Sequence, residues 1–293
     1  MSANKPMPEH FKGNFLYRHC WNSVHERDMN ATFVIVGVPG TGKSTLGLKL
    51  CEDIDSTFNV SRICYSVEDM VYLLSEKGDD GRPKLKPGSC ILFDEIVNES
   101  GSYSRTALSK HNQIMNFVIA NMRARRIILV ICLPKFTQLD KDIREVGLTG
   151  VFQMINIDRK RNKAKVKFKW RQVDEMLGGT IDPFPRIYDK ENNKKYKIRF
   201  TYWSKPSKEL ENLYKKKKHE YMFERVQNWL GMLTNDKGEK KLTNVREISK
   251  YVIANKDKFS TNGELDYVKV LANFDVGDQK ARNVIKTAEM LLV

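Results

Sequence analysis

Long apolar runs, paired cysteines and an excess of acid are all missing from this chain. No stretch approaches the roughly eighteen apolar residues of a membrane span, and the N-terminus lacks the apolar core of a signal peptide. The five cysteines (Cys20, Cys51, Cys64, Cys90, Cys132) are odd in number and without C-x-x-C spacing. That pattern argues against a disulfide framework and against structural zinc. Cys64, Cys90 and Cys132 each fall in or beside an apolar run, where a reduced thiol acts as a small hydrophobe. These absences predict a soluble protein of a reducing compartment, the cytoplasm. Acid is in deficit: 51 Lys+Arg stand against 36 Asp+Glu, a net charge of +15. Such an imbalance points to a polyanionic partner, nucleic acid first, or to a lysine-rich proteome. The length of 293 residues leaves room for one large α/β core and a smaller module.

What is present is more informative. Gly37, Val38, Pro39, Gly40, Thr41, Gly42, Lys43 and Ser44 form a complete phosphate-binding loop. It follows the β-branched run Phe33-Val34-Ile35-Val36 and opens into Thr45-Leu46-Gly47-Leu48-Lys49-Leu50, which has helical spacing. Strand, loop and helix in that order separate a working loop from a chance match. Glycines let backbone N–H groups turn inward around phosphates, and the helix N-terminus adds partial positive charge. Lys43 is placed to reach the β- and γ-phosphates and Ser44 to ligate Mg²⁺. The chain is therefore predicted to bind a nucleoside triphosphate, with ATP as substrate.

A second short apolar run, Cys90-Ile91-Leu92-Phe93, ends in Asp94-Glu95. A strand buried on both faces of a parallel sheet reads this way. Asp94 at its end is the candidate second Mg²⁺ residue, and Glu95 the candidate general base for an attacking water. The carboxylate pair favours hydrolysis over phosphoryl transfer to a small acceptor, and with the charge it speaks against a small-molecule kinase.

Strands and helices alternate from about residue 31 to 132, predicting a parallel sheet covered on both faces. Residues 1–30 read as an N-terminal arm or short strand with a lead-in helix. A strand at Ile63-Cys64-Tyr65, a helix over 67–74, a turn-rich loop over 78–88 and a helix from about Ala107 to Arg123 precede the strand Ile127 to Cys132. The insertion of a strand between the P-loop strand and the Asp94 strand is the pattern of P-loop ATPases with an added catalytic glutamate.

After that the texture changes. Residues 151–158 and 163–173 read as a hairpin turning at 159–162. In its second strand Lys163, Lys165, Lys167, Lys169 and Arg171 fall at period two, so one face is basic and the other apolar. Same-face side chains repeat about every 6.6 Å along a strand, near the spacing of phosphates on an extended nucleic-acid strand. Two readings stand: a DNA contact, or a solvated edge guarded by lysines. A second hairpin is expected over 186–203, then a charged helix from Pro206 through Leu230, whose run Lys215 to Lys218 reads as a solvated face. Residues 231–238 read as a linker. The tail is expected to hold helices over 245–256, 264–273 and 278–292 in a helix-turn-helix-like order, with Gln279, Lys280, Arg282 and Asn283 facing a groove or phosphates. The other reading of this module is a three-helix cap or protein-docking unit. The predicted domains are thus 1–30, the ATPase core with basic hairpins at 31–205, a charged helix and linker at 206–240, and the helical module at 241–293.

The loop over 37–44, Ile91 to Glu95, and the stretch Asn121-Met122-Arg123-Ala124-Arg125-Arg126-Ile127-Ile128-Leu129-Val130 with Leu139-Asp140-Lys141-Asp142-Ile143-Arg144 together carry a resemblance. They resemble the FtsK/HerA class of additional-strand P-loop ATPases, and within it the zonula-occludens-toxin-like branch of viral and plasmid proteins, many of them archaeal. The resemblance covers roughly residues 30–160. It implies an arginine before the fourth core strand that acts on a neighbouring subunit's γ-phosphate; Arg123 matches that position best and Arg125 next. It also implies a closed ring, six subunits, around DNA. The class ends that strand with a polar sensor, whereas Ile131-Cys132-Leu133-Pro134 stands here, which weakens the sensor or moves it to Gln138. The function so implied is an ATP-driven DNA translocase for genome packaging or element transfer, partnered by a capsid portal, nuclease or transfer machinery. The alternative is an ATP-switched DNA-binding adaptor that recruits a nuclease, recombinase or replication factor.

Overall fold

The structure is a computed structural model that describes residues 6–94, 114, 117–139, 141–158, 160–174, 179–189, 192–238, 245–261, 264–266, 269–270 and 278–292. It divides into two compact units, Met1–Lys217 and Lys218–Val293.

The first unit is built on a seven-stranded sheet. In chain order its strands are β1 (Ala31–Val36), β2 (Ile63–Cys64), β3 (Cys90–Asp94), β4 (Ile128–Leu133), β5 (Gly150–Asp158), β6 (Lys163–Trp170) and, after four short strands, β11 (Thr201–Trp203). Their spatial order is β11-β6-β5-β1-β4-β3-β2. β1 runs parallel to both β4 and β5, and β3 parallel to both β4 and β2. The strand lying between the loop-bearing β1 and β3 in the sheet is β4; β2, which separates them in sequence, sits at the edge. All of β3 and β4 is buried, which explains their unbroken apolar sequences: neither face meets water.

Alternate residues feed two layers. Val34, Ile91, Phe93, Leu129, Ile131 and Leu133 join Met70, Met122 and Ile143 on one face. That layer is supplied by α4 (Val67–Ser75), by the helical residues 117–125 and by α5 (Lys141–Val146). α4 starts sharply because Ser66 and Asp69 form a reciprocal capping box. The opposite face receives α3 (Lys43–Ile54), which packs on β1, β3 and β4, and α2 (Phe15–His25), which packs on α3 and β1. Residues 9–25, expected as an arm or strand with a lead-in helix, are thus two helices, α1 (Glu9–Lys12) and α2, with Phe11, Leu16, Cys20, Trp21 and Val24 buried. All five cysteines are buried free thiols. Burial pushes Cys64 up to about 12 and holds Cys20 and Cys90 well above the ordinary thiol value.

The expected hairpin over 151–173 is β5 paired antiparallel with β6. It is not an appendage, since β5 is also the parallel neighbour of β1. Its apolar face is aromatic: the Phe152 and Phe168 rings lie tilted to one another with centroids 4.5 Å apart, and Trp170 meets Phe168 edge-on at 4.8 Å. Thr201–Trp203 pairs with β6 rather than with the second hairpin. That hairpin is only β9 (Arg186–Asp189) with β10 (Lys194–Lys197), and β7 (Gln172–Asp174) pairs with β8 (Gly179–Ile181). Helix α6 (Lys208–Gly238) is longer than the charge pattern predicted and runs through the expected linker at 231–238. A single Gly231 inside such a segment costs only about 1 kcal/mol of helix propensity, too little to break it.

In the second unit, α7 (Val245–Ala254) and α8 (Asp278–Leu292) form where expected, around Ile248, Val252, Phe259, Ala281 and Val284. The helix expected from residue 264 does not start there: Glu264–Leu265 instead pairs antiparallel with Ser260–Thr261. The β-branched Thr261 favours a short ladder over a helical start. The turn expected at 274–277 lies outside the described residues.

Candidate nucleotide-binding site

The loop after β1 has the backbone its glycines permit. Gly40 and Gly42 take φ of +80° and +85°, and Gly42 caps α3 from the left-handed region, a conformation costly for any residue with a Cβ. Thr41 Oγ1 donates to the Val38 carbonyl at 2.7 Å, and Lys43 Nζ donates to the same carbonyl at 3.2 Å. Lys43 is buried, with 8% of its surface exposed. The β5–β6 hairpin leans over this loop. Met154 packs beside Gly37, and Ile157, Lys163 and Trp203 line a small cavity with Gly42 and Thr45.

The end of β3 completes the arrangement. Ser44, in the first turn of α3, donates its hydroxyl to Asp94 Oδ1 at 2.7 Å. Asp94 is 1% exposed, and its Oδ2 accepts from the Tyr214 hydroxyl at 2.5 Å. A hydroxyl and a carboxylate joined at the mouth of a phosphate loop are hard oxygen donors. Mg²⁺ is held by such sets, through one or two carboxylates, waters and the substrate's own phosphates. The residues present therefore fit a Mg²⁺–triphosphate. With loop, sheet order and Ser44–Asp94 contact in place, the identity of the core is fixed. This is a P-loop NTPase fold.

No known protein family matches the sequence, and no curated protein matches it. Among the solved structures similar to part of this chain are two from other proteins. One is the N-terminal domain of zonular occludens toxin from Neisseria meningitidis, at 15% identity and a TM-score of 0.29, covering 56% of this chain and 96% of that one. The other is the DnaC helicase loader, at 15% identity and a TM-score of 0.24, covering 48% of this chain and 78% of that one. At these scores neither likeness adds to the assignment, which stands on the geometry above.

The other predicted residues fall in several places. Glu95 lies outside the described residues. Arg123 is exposed at the end of the helical residues 117–125. It precedes β4, which runs parallel to β1, so it sits at the opposite end of the sheet from its own phosphate loop. Six residues of strand separate the two ends, or about 20 Å. Its neighbours are engaged at that far end: Arg126 pairs with Asp28 at 2.5 Å and Arg125 donates to the Leu74 carbonyl. Gln138 caps a 3₁₀ turn after β4, its Oε1 accepting from Lys135 N at 3.2 Å.

Along β6, Lys163 is exposed and Lys165, Lys167, Lys169 and Arg171 are half-buried. Lys165 Nζ lies 4.3 Å from the Phe200 ring centroid; Lys169 and Lys197 lie 5.5 and 4.8 Å from that of Phe184. Arg171 is engaged within the fold, with Nη1 3.0 Å from Asp182 and Nε donating to the Arg144 carbonyl at 2.9 Å. Residues 159–205 hold 15 Lys/Arg against 5 Asp/Glu, so two-thirds of the net charge resides in about a sixth of the chain. On α8, Arg282 and Asn283 are exposed, and the side chains of Gln279 and Lys280 lie outside the described residues.

Two engaged residues were not legible as site residues. Tyr214 reaches Asp94 across 120 positions of sequence, with no local motif to announce it. Lys217, expected on a solvated face, is half-buried and donates to the Ile63 and Val60 carbonyls at 2.6 and 2.9 Å. Burial pushes its ammonium pKa down. The only sequence signal was the spacing Leu210, Tyr214, Lys217, one face of a helix.

Proposed function

We propose that this chain is an ATP-hydrolysing, DNA-translocating motor of the FtsK/HerA type, working in viral genome packaging or in transfer of element DNA. The observation that carries the ATPase reading is the Ser44–Asp94 contact at the phosphate loop. In it Lys43 neutralises the β- and γ-phosphates, while Ser44 and Asp94 place Mg²⁺. Bound Mg²⁺ supplies charge neutralisation on the transferring phosphoryl group. Glu95 takes the proton of the attacking water. Arg123, far from its own loop, serves the γ-phosphate of a neighbouring subunit, so hydrolysis requires assembly into a homo-oligomeric ring, six subunits on the resemblance described above. DNA follows the basic surface of residues 159–205, led by the lysines of β6, with α8 a second contact. A capsid portal, nuclease or transfer complex in the cytoplasm completes the machine. Among the described residues no helix is long and apolar enough to cross a membrane.

The separate helical unit supports a second reading, an ATP-switched DNA-binding adaptor that assembles on DNA without moving. Triplex displacement separates the two. ATP-dependent, directional removal of a third strand requires a motor, whereas an adaptor shows ATP-dependent binding alone. Glu95→Gln should bind ATP and fail in hydrolysis and displacement, and Lys43→Ala should lose binding. Undiminished turnover in Glu95→Gln would remove the proposed base.

A further inference from the structure

We propose that Tyr214 is a positioning residue of the nucleotide site, its phenol fixing the orientation of the Asp94 carboxylate toward Ser44 and the metal. The proposal rests on reading that site as one for Mg²⁺–ATP. A carboxylate held by a single hydrogen bond can pivot about its Cβ–Cγ bond. Here both oxygens are held, Oδ1 by Ser44 and Oδ2 by Tyr214, at 2.7 and 2.5 Å. Both donors are hydroxyls, and the carboxylate they hold is 1% exposed. A hydroxyl that donates to a carboxylate still offers lone pairs, so Ser44 can keep its bond to Oδ1 while turning an oxygen lone pair to the metal. Tyr214 then plays the part that outer-sphere hydrogen-bond partners play at metal sites generally.

Tyr214 is itself held in place. Leu210 and Tyr214, one helical turn apart, are both buried. One turn further, Lys217 donates to the Val60 and Ile63 carbonyls. At the start of the helix, Ser207 N donates to both carboxylate oxygens of Glu52 at 3.1 Å. Glu52 belongs to α3, the helix whose first turn carries Lys43 and Ser44. The opening turns of α6 are thus tied to the phosphate-loop helix, to the Asp94 carboxylate and to the edge of β2 at once. A phenylalanine at 214 would fill the same space; the hydroxyl is what addresses Asp94.

The test uses the full chain and Tyr214→Phe. Fluorescent ATP analogue is titrated with Mg²⁺ and with EDTA, and Mn²⁺ binding in the presence of a non-hydrolysable ATP analogue is followed by electron paramagnetic resonance. We expect the Mg²⁺-dependent gain in nucleotide affinity, and Mn²⁺ affinity, to fall about 10-fold. Affinity in EDTA should stay at the wild-type value. Lys217→Met, which loosens the helix seat but keeps the phenol, should retain the metal dependence. Equal Mn²⁺ affinity in Tyr214→Phe and wild type would overturn the proposal, as would the same loss in Lys217→Met. A wild-type protein that binds ATP equally well in Mg²⁺ and EDTA would instead overturn the Mg²⁺–ATP reading itself.

Discussion

Gly47 is where the seat of the phosphate-loop helix can be probed without touching a site residue. A Cβ built there stands 2.7 Å from Leu92 Cδ1, 3.1 Å from Cys132 Sγ and 3.6 Å from Ile35 Cδ1. Carbon atoms pack best at about 3.5–4.0 Å, so Leu92 is too close by about an ångström. Leu92, Cys132 and Ile35 are fully buried in three adjacent strands, and none can retreat into solvent. Overpacking of this kind costs about 1–3 kcal/mol, offset by the roughly 1 kcal/mol that alanine gains over glycine within a helix. Gly47→Ala should therefore lose about 1 kcal/mol, or about 2–4 °C in melting midpoint for a unit of this size. The same strain lifts α3 from the sheet and draws Ser44 from Asp94, so affinity for Mg²⁺–ATP should fall with stability. Circular-dichroism melts and titration of a fluorescent ATP analogue measure the two effects. Adding Leu92→Ala should cost less in the Gly47→Ala background than alone, a favourable coupling between residues that touch. A Gly47→Ala protein that melts above wild type and binds nucleotide unchanged would show that α3 is not held at close approach.

If Arg123 serves a neighbour, Arg123→Ala and Glu95→Gln should each be inactive alone, and mixing them should restore part of the turnover, because a mixed interface pairs an intact base with an intact arginine; no recovery at any ratio would assign Arg123 another role. Changing Lys165, Lys167 and Lys169 together to Gln should weaken DNA binding with little sequence preference. The salt slope should drop by about 0.7–0.9 for each phosphate that is no longer neutralised, while DNA-independent hydrolysis survives; an unchanged slope would make the stripe a fold element only. Burial, and then Arg27, hold the His19 pKa below its ordinary 6.5. The unfolded chain therefore takes up this proton first, and stability should fall as pH drops through 6.5 toward the folded value. His19→Gln should flatten that part of a urea-melt series between pH 7.5 and 5; an identical slope would place the dependence elsewhere.

The phosphate loop, the Asp94 strand and the parallel core were legible because each is local. Eight consecutive residues make the loop, and a fully buried strand advertises itself by lacking polar residues. The β5–β6 hairpin was legible from period two, but not its place beside β1, since alternation fixes a strand's faces and says nothing of its neighbours. The period-two lysines predicted an open basic face, yet Phe184, Phe200 and Asp182 come from segments 11 or more residues away and cover or pair with parts of it. Helix α6 was placed correctly at its start, where Ser207 Oγ accepts from Leu210 N. Its end was missed because Gly231, Asn235, Asp236 and Gly238 together resemble a linker when the strong helix formers before them are discounted. Tyr214 was out of reach for the simplest reason: a hydrogen bond across 120 residues leaves no trace in spacing.

Arg123 and the phosphate loop stand at opposite ends of one sheet, which has a consequence for counting. If each working site takes its loop from one copy and its arginine from the next, a lone copy has none and an open row of n copies has n − 1. Only closure makes the number of sites equal the number of chains. Turnover per chain would then climb with the length of an open row and reach its ceiling at closure, so enzyme output becomes a census of junctions rather than of molecules. Capping one end of a row with an Arg123→Ala copy and the other with a Lys43→Ala copy would have opposite costs according to which end each occupies, giving the row a direction that can be read from rate alone.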